Sequence, residues 1–222
     1  MTKTITALKT QKKNPQRINV YLDGEFAFGL SRIVAAWLQV GQELSDEKIA
    51  QLQSEDNFES SYQRVLHYLS IRPRSEKEIS KYLIKIGLPP ALQEKILERL
   101  KSHDWIDDER FAAQWVENRA VFHPVSKRAL QFELSLKGID RETIQKTTSD
   151  YDEEESAYQA SQKILNRIRE LPLTQFKNKI YPYLARRGFS HDVILSTVQR
   201  LWTEVQTEKE DLEEIEVPKE WK

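Results

Sequence analysis

Few side chains in this 222-residue chain are of a type that could carry out a reaction, and their spacing argues against one. The four histidines, His67, His103, His123 and His191, fall one to a region, without metal-ligand spacing and with no nucleophile beside them. There is no cysteine, which removes thiolate ligands, thiol nucleophiles and disulfides together. The six glycines stand singly, at turns or helix stops, so no phosphate-cradling loop is expected and neither is ATP use. Asp107-Asp108 is the most suggestive acid pair, and capping accounts for it: carboxylates accept from the free N–H groups of a helix's first turn and suit its positive dipole end. No catalytic residue, metal or cofactor is expected, and the chain is not read as an enzyme.

Cation chemistry remains. Lysine and arginine number 34 against 35 acids, a net charge of −1, but the charges are segregated. Residues 1–20 hold Lys3, Lys9, Lys12, Lys13 and Arg17 with no acid, and residues 156–206 hold eight bases against three acids. Against these stand Asp152-Glu153-Glu154-Glu155 and a stretch from Thr207 with seven carboxylates and three lysines. Such runs are either solvated helix faces or a basic working surface that the acidic tail keeps soluble or competes for. Arg72, Arg74 and Lys77, then Lys127 and Arg128, then Arg186 and Arg187 recur near helix starts or ends. Repeated cations at intervals suit a repetitive anion, either a nucleic-acid backbone or an acidic groove on a polymer of identical subunits.

The elements that must position them repeat. Trp105 to Ile139 reads as a helix capped at Asp107 or Asp108, a break at Pro124, a second helix capped by Ser126, and a stop at Gly138. Aligned on glycine, Lys77–Gly87, Arg128–Gly138 and Asn178–Gly188 fall into register about fifty residues apart. Ile79, Leu130 and Ile180 match, as do Leu83, Leu134 and Leu184, then Leu88, Ile139 and Phe189. Thirteen residues past each glycine come Leu100, Tyr151 and Leu201. This period predicts tandem units of three short helices, with curvature and a long concave face. Leu130, Phe132, Leu134 and Leu136 alternate like a strand, but Ile79, Tyr82, Leu83 and Ile86 in the matching segment mark one helical face, so all three segments are read as helices. Phe132 and Leu136 then point to a different side, toward a neighbouring unit. Pro182 requires the third copy to start late or bend.

Before the repeats, Ile18, Val20 and Leu22 alternate, Asp23-Gly24 turns, and Phe26, Phe28 and Leu30 alternate back: a β-hairpin, with Ile5 and Leu8 in a further strand. Ser31 caps a short helix of Ile33, Val34, Trp37 and Leu38 that covers the sheet. A polar helix from Ser45 continues past a break near Asp56-Asn57 to Arg72-Pro73, and Ser75 to Glu78 has capping-box spacing. The expected fold is mainly α: tandem three-helix repeats in an elongated curved body with a small N-terminal β-hairpin and helix. Boundaries are 1–44 for the hairpin module, 45–106 for a linker helix and first repeat, 107–152 for the second, 153–206 for the third, and 207–222 for an acidic disordered tail in which Trp221 could make a weak contact. Neither a cleavable signal nor a membrane-length apolar run is found, so a soluble, cytoplasmic monomer is expected.

Several of these segments resemble one family. Tyr68-Leu69-Ser70-Ile71-Arg72-Pro73-Arg74-Ser75-Glu76-Lys77-Glu78 with Leu83 to Gly87 is similar to the first repeat of the RecX regulatory proteins. Ile106-Asp107-Asp108-Glu109-Arg110-Phe111-Ala112, with Trp115-Val116 and Arg119, resembles their most recognisable motif, which continues through Pro124, Ser126, Arg128, Leu130, Glu133, Leu134 and Lys137-Gly138-Ile139. Arg186-Arg187-Gly188-Phe189-Ser190 resembles the end of the third repeat, and Tyr21-Leu22-Asp23-Gly24 an N-terminal extension of some members. The likeness covers residues 60–205 and departs from the pattern at Pro182 and in the threonine-rich helix near Thr147. It implies a protein that binds in the groove of the RecA–DNA filament, bridges protomers, and suppresses recombinase, ATPase and co-protease activities. It adds Arg110, Arg119 and Lys137 to the candidate contacts, with the provision that Glu109 or Glu117 could occupy the two arginines within their own helix. The other reading is a sequence-tolerant binder of single- or double-stranded DNA that acts without RecA.

Overall fold

The computed structural model describes residues 2–216. At its start β1 (Thr2–Gln11), β2 (Asn14–Leu22), β3 (Glu25–Ser31) and β4 (Glu43–Ser45) form an antiparallel sheet in the order β3-β2-β1-β4, so the expected hairpin is the centre of a larger sheet. Asp23 and Gly24 both have positive φ, 49° and 93°, the signature of a two-residue turn whose twist matches its strands. Gly29 is the exception among the glycines, lying inside β3 with Gln11 and Arg17 close by. Ser31 caps α1 (Arg32–Ala35) through the Val34 N–H, but this helix is a single turn. Trp37 is 86% exposed and Ile33 62%, so the expected cover is only half right. Ile5, Val20, Leu22 and Leu30 are instead closed over by Ala35, Leu38 and Leu44 together with Leu52 of α2 (Asp46–Ile71).

Helix α2 runs unbroken for 26 residues. The expected break at Asp56-Asn57 is absent because Asp56 has another task. Buried in the helix, its carboxylate accepts from Arg17 Nη2 (2.8 Å) and from the Ser31 N–H, tying the sheet module to α2. A carboxylate in that position is tolerable only when its acceptor capacity is met.

The rest is three-helix repeats. The end of α2 with α3 (Glu76–Lys85) and α4 (Pro90–Ser102) makes the first, α5 (Asp108–Phe122), α6 (Lys127–Lys137) and α7 (Arg141–Thr147) the second, and α8 (Glu153–Ile168), α9 (Leu173–Ala185) and α10 (His191–Glu216) the third. The glycine-aligned positions behave as one set: Ile79, Leu130 and Ile180, and Leu83, Leu134 and Leu184, are fully buried. The alternating segment 130–136 is helical, with Leu130 and Leu134 inside. Phe132 and Leu136 are 62% and 58% exposed, so they pack on no neighbouring unit.

Helix α9 does not start late: it begins at Leu173 and carries Pro182 inside its last turn. The N–H that proline lacks would have met the carbonyl of Asn178, an exposed residue, so water can satisfy that carbonyl. Tyr151 follows the short α7 and donates its hydroxyl to the Val125 carbonyl (2.8 Å), the polar substitute for a core leucine. Helix α10 continues to Glu216, ten residues past the expected onset of disorder, and the remaining residues with Trp221 lie outside those described.

Two compact units emerge. One comprises residues 1–74 and 79–105, the other residues 75–78 and 106 onward. Among the described residues no helix is long and apolar enough to cross a membrane.

Candidate functional site

Within the second unit the basic residues gather where one middle helix ends against the start of another. Ser126 is fully buried at the N-cap of α6; its Oγ accepts from the Ala129 N–H (3.1 Å), and its own N–H donates to the Arg187 carbonyl (3.0 Å). Gly188, at φ +87°, lies so close that a Cβ there would stand 2.6 Å from Ser126 Oγ. Ser75 does the same work at the first turn of α3. Its Oγ accepts from the Glu78 N–H (3.3 Å) and donates to the Lys137 carbonyl (2.7 Å), beside Gly138. Each joint pairs orphan carbonyls at one helix end with a capped N-terminus, and sets a negative dipole end against a positive one. The joints bring Lys127 and Arg128 to Arg186 and Arg187, and Lys77 to Lys137.

The ten candidate cations then divide by what holds them. Arg119 donates Nε to Glu133 Oε2 (2.7 Å), and the Trp115 indole N–H donates to that same oxygen (2.9 Å). The expected pairing of Arg119 within its own helix is therefore wrong: its partner lies across on α6. Lys137 bonds Glu78 (2.7 Å) and lies 4.7 Å from the Trp115 ring centre. These two, half-buried, are held by internal partners, Arg119 within the second repeat and Lys137 on α3 of the first, rather than presenting free charge. Arg110 is exposed on the first turn of α5, and Glu109 bonds Lys146 of α7 (2.8 Å).

Stacking holds two more. The Arg187 guanidinium lies 3.7 Å from the centre of the Tyr183 ring and donates Nη1 to that residue's carbonyl. In the first unit Arg74 lies 3.9 Å over Tyr68, which stacks on Tyr82 at 4.4 Å, and its buried Nε has no protein partner. Arg72 donates to the Pro73 carbonyl (2.9 Å) and Lys127 to the Ser149 carbonyl (3.1 Å). Lys77, Arg128 and Arg186 are exposed and make no ion pair among the described residues.

The reading of the third repeat as basic needs amendment. Arg200 is paired with Glu155 (3.1 Å) and Glu204 (3.3 Å) and stacked on Tyr158, and Arg169 with Glu208 (2.7 Å). The Gln159 side-chain hydrogen bond and then Arg200 lower the pKa of Glu155, while Glu155 in turn raises that of Arg200. Glu155 and Glu208 lie in the two acidic runs, so those runs do occupy part of the basic surface. Arg200 and Glu204 stand one helical turn apart, but separations of 45 and 39 residues hide the pairings with Glu155 and Glu208. The described residues hold no group of three or more potential metal ligands.

Comparison with known proteins is consistent along the chain. Family models match residues 3–45 (regulatory protein RecX N-terminal domain), 62–100 (RecX, first three-helix domain), 107–147 (second three-helix domain) and 152–198 (third three-helix domain). The regulatory protein RecX of Bacillus licheniformis is 35% identical over 200 residues, covering 88% of this chain and 76% of that protein. The RecX of Bacillus subtilis is 33% identical, covering 94% and 81%. A crystal structure of regulatory protein RecX superposes with a TM-score of 0.66 at 30% identity, over 86% of this chain and 96% of that one. The crystal structure of RecX from Lactobacillus salivarius gives 0.56 at 26% identity, over 66% and 97%.

Proposed function

The chain belongs to the RecX family of regulatory proteins, and from that premise we propose that it binds the RecA–DNA filament in its groove, bridges neighbouring protomers, and inhibits recombinase, ATPase and co-protease activities. One observation carries the reading at residue level. Lys77, Arg128 and Arg186 are exposed, unpaired cations set on two equivalent Ser–Gly joints, so their backbones are held in a repeated geometry. A filament offers its own groups at a repeated spacing, and fixed cations meet it with less ordering cost than mobile ones. Arg74 and Arg187, held by tyrosine stacking, belong to the same surface chemistry. Regulation needs no catalysis: a ligand spanning two protomers shifts the polymer toward whichever state it binds more tightly. On this reading the protein acts as a cytoplasmic monomer without cofactor.

RecA-dependent ATPase, titrated with substoichiometric protein, tests it. Inhibition well below one copy per protomer is expected. The Arg128→Glu/Arg186→Glu pair should raise the half-inhibitory concentration by roughly tenfold, the equivalent of about 1.4 kcal/mol. The absence of inhibition throughout the titration would remove the assignment. The second reading, DNA binding without RecA, is favoured by the same unpaired guanidinium groups, which suit phosphates. Equal or tighter binding to bare duplex or single strand than to preformed filament at matched salt would select it.

A further inference from the structure

Helix α2 ends at Ile71, and Arg72, held extended before Pro73, turns the chain so that Arg74 returns to the last turn of the helix. There the Arg74 guanidinium lies 3.9 Å from the Tyr68 ring centre. Tyr68 in turn stacks on Tyr82 of α3, with centroids 4.4 Å apart and planes 8° from parallel. Two groups this close to one ring lie on its opposite faces, so the order is Tyr82, Tyr68, Arg74. Both faces of Tyr68 are filled, and the guanidinium forms one end of the stack. All three residues are half-exposed, and Ile71, one turn beyond Tyr68, is 67% exposed.

Arg74 differs from the other stacked arginines in what its edge meets. Arg99 lies over Tyr62 and bonds Glu59, Arg119 lies over Trp115 and bonds Glu133, and Arg200 lies over Tyr158 and bonds Glu155 and Glu204. Arg187 donates to the Tyr183 carbonyl. Arg74 makes no hydrogen bond or ion pair among the described residues, and its Nε is the one buried side-chain donor among them without an acceptor. Stacking fixes the plane of a guanidinium but leaves its charge and its donors unmet. The missing partner is anionic, to suit the charge, and flat, to suit the plane. A protein carboxylate meets only the first condition. A nucleotide meets both, with its base on the guanidinium and its phosphate accepting from the guanidinium edge. We propose that Arg74, backed by Tyr68 and Tyr82, is a stacking site for an unpaired base of a single nucleic-acid strand. Bases in a duplex already stack on one another and cannot use it. The proposal rests on the DNA-binding reading and deepens it, by placing one contact and choosing the strand form.

The test titrates the full chain, without RecA and at matched salt, with oligothymidylate and with an abasic strand of the same length. The two carry the same phosphates, so only the bases separate them, and oligothymidylate should bind roughly tenfold tighter. Arg74→Lys keeps the charge and removes the plane. It should bring oligothymidylate down to the abasic level while leaving abasic and duplex binding unchanged, and Tyr68→Leu should act in the same direction. In the unsubstituted protein the Arg74 Nε–H NMR signal should move further with oligothymidylate than with the abasic strand, a readout that depends on no variant folding. Equal affinity for the two strands, or full oligothymidylate binding by Arg74→Lys, would overturn the proposal and leave DNA binding standing. Failure of every oligonucleotide to bind would overturn both, and the filament reading is tested apart from either by the ATPase titration.

Discussion

At Gly138 and Gly188 the backbone is left-handed, with φ of 89° and 87°, and each lies against a side chain from the preceding repeat. Alanine at either position meets two penalties: about 1–2 kcal/mol for the left-handed backbone, and a contact with Lys77 or Ser126 that must give way. Gly87 has φ of 78° but open space around it, so Gly87→Ala meets only the first. Urea unfolding should therefore rank Gly138→Ala and Gly188→Ala as more damaging than Gly87→Ala. Equal losses would show that the joints contribute nothing beyond backbone strain. Glu133 is a second critical residue, because one carboxylate oxygen receives both the Trp115 indole and Arg119. Glu133→Gln should cost about 1.5–3 kcal/mol in unfolding free energy, the range for hydrogen bonds to a charged group. Glu133 and Gly138 sit in the most recognisable stretch of the sequence, and the structure gives that stretch a framework role rather than a chemical one.

Element boundaries rest on capping groups, and two of them make predictions. Asp56 holds the sheet module onto α2 through Arg17 and the Ser31 N–H. Asp56→Ala should speed amide exchange in β3 while sparing the third repeat. Uniform loss of protection would mean that the module is not separately tethered. Asp140 caps α7, and the Thr143 backbone N–H holds its carboxyl below the ordinary range. A lowered folded-state value means that the charged cap favours the fold above the ordinary value of about 3.9 and that this benefit is lost on further acidification. The Thr143 amide signal should therefore follow a transition below about pH 4, and Asp140→Asn should abolish it. The polar dipeptide Asp56-Asn57 looks like a break in sequence, because nothing local reveals that a strand 39 residues earlier supplies its donor.

Across the molecule, near-neutral net charge conceals opposed regions whose pairing is partly internal. Glu208 engages Arg169 and Lys209 engages Glu170. Truncation after Gln206 removes seven carboxylates and three lysines and leaves Arg169 only its longer contact with Glu170 (3.6 Å). Binding of the chain to an anionic polymer should then tighten severalfold at low salt and converge with the full-length protein as screening increases. Weaker binding after truncation would assign the tail to the contact surface instead.

Period and composition alone determined the repeat count, the helical character of the ambiguous 130–136 segment, the core positions and the β start, since burial and turn chemistry follow short-range pattern. Tertiary structure decided which cations are available. Arg119, Lys137 and Arg169 read no differently from Arg128 and Arg186 until the fold brings Glu133, Glu78 and Glu208 to them. Charge is a property of the residue, but its neutralisation depends on distance, and helix packing creates those distances between residues remote in the chain.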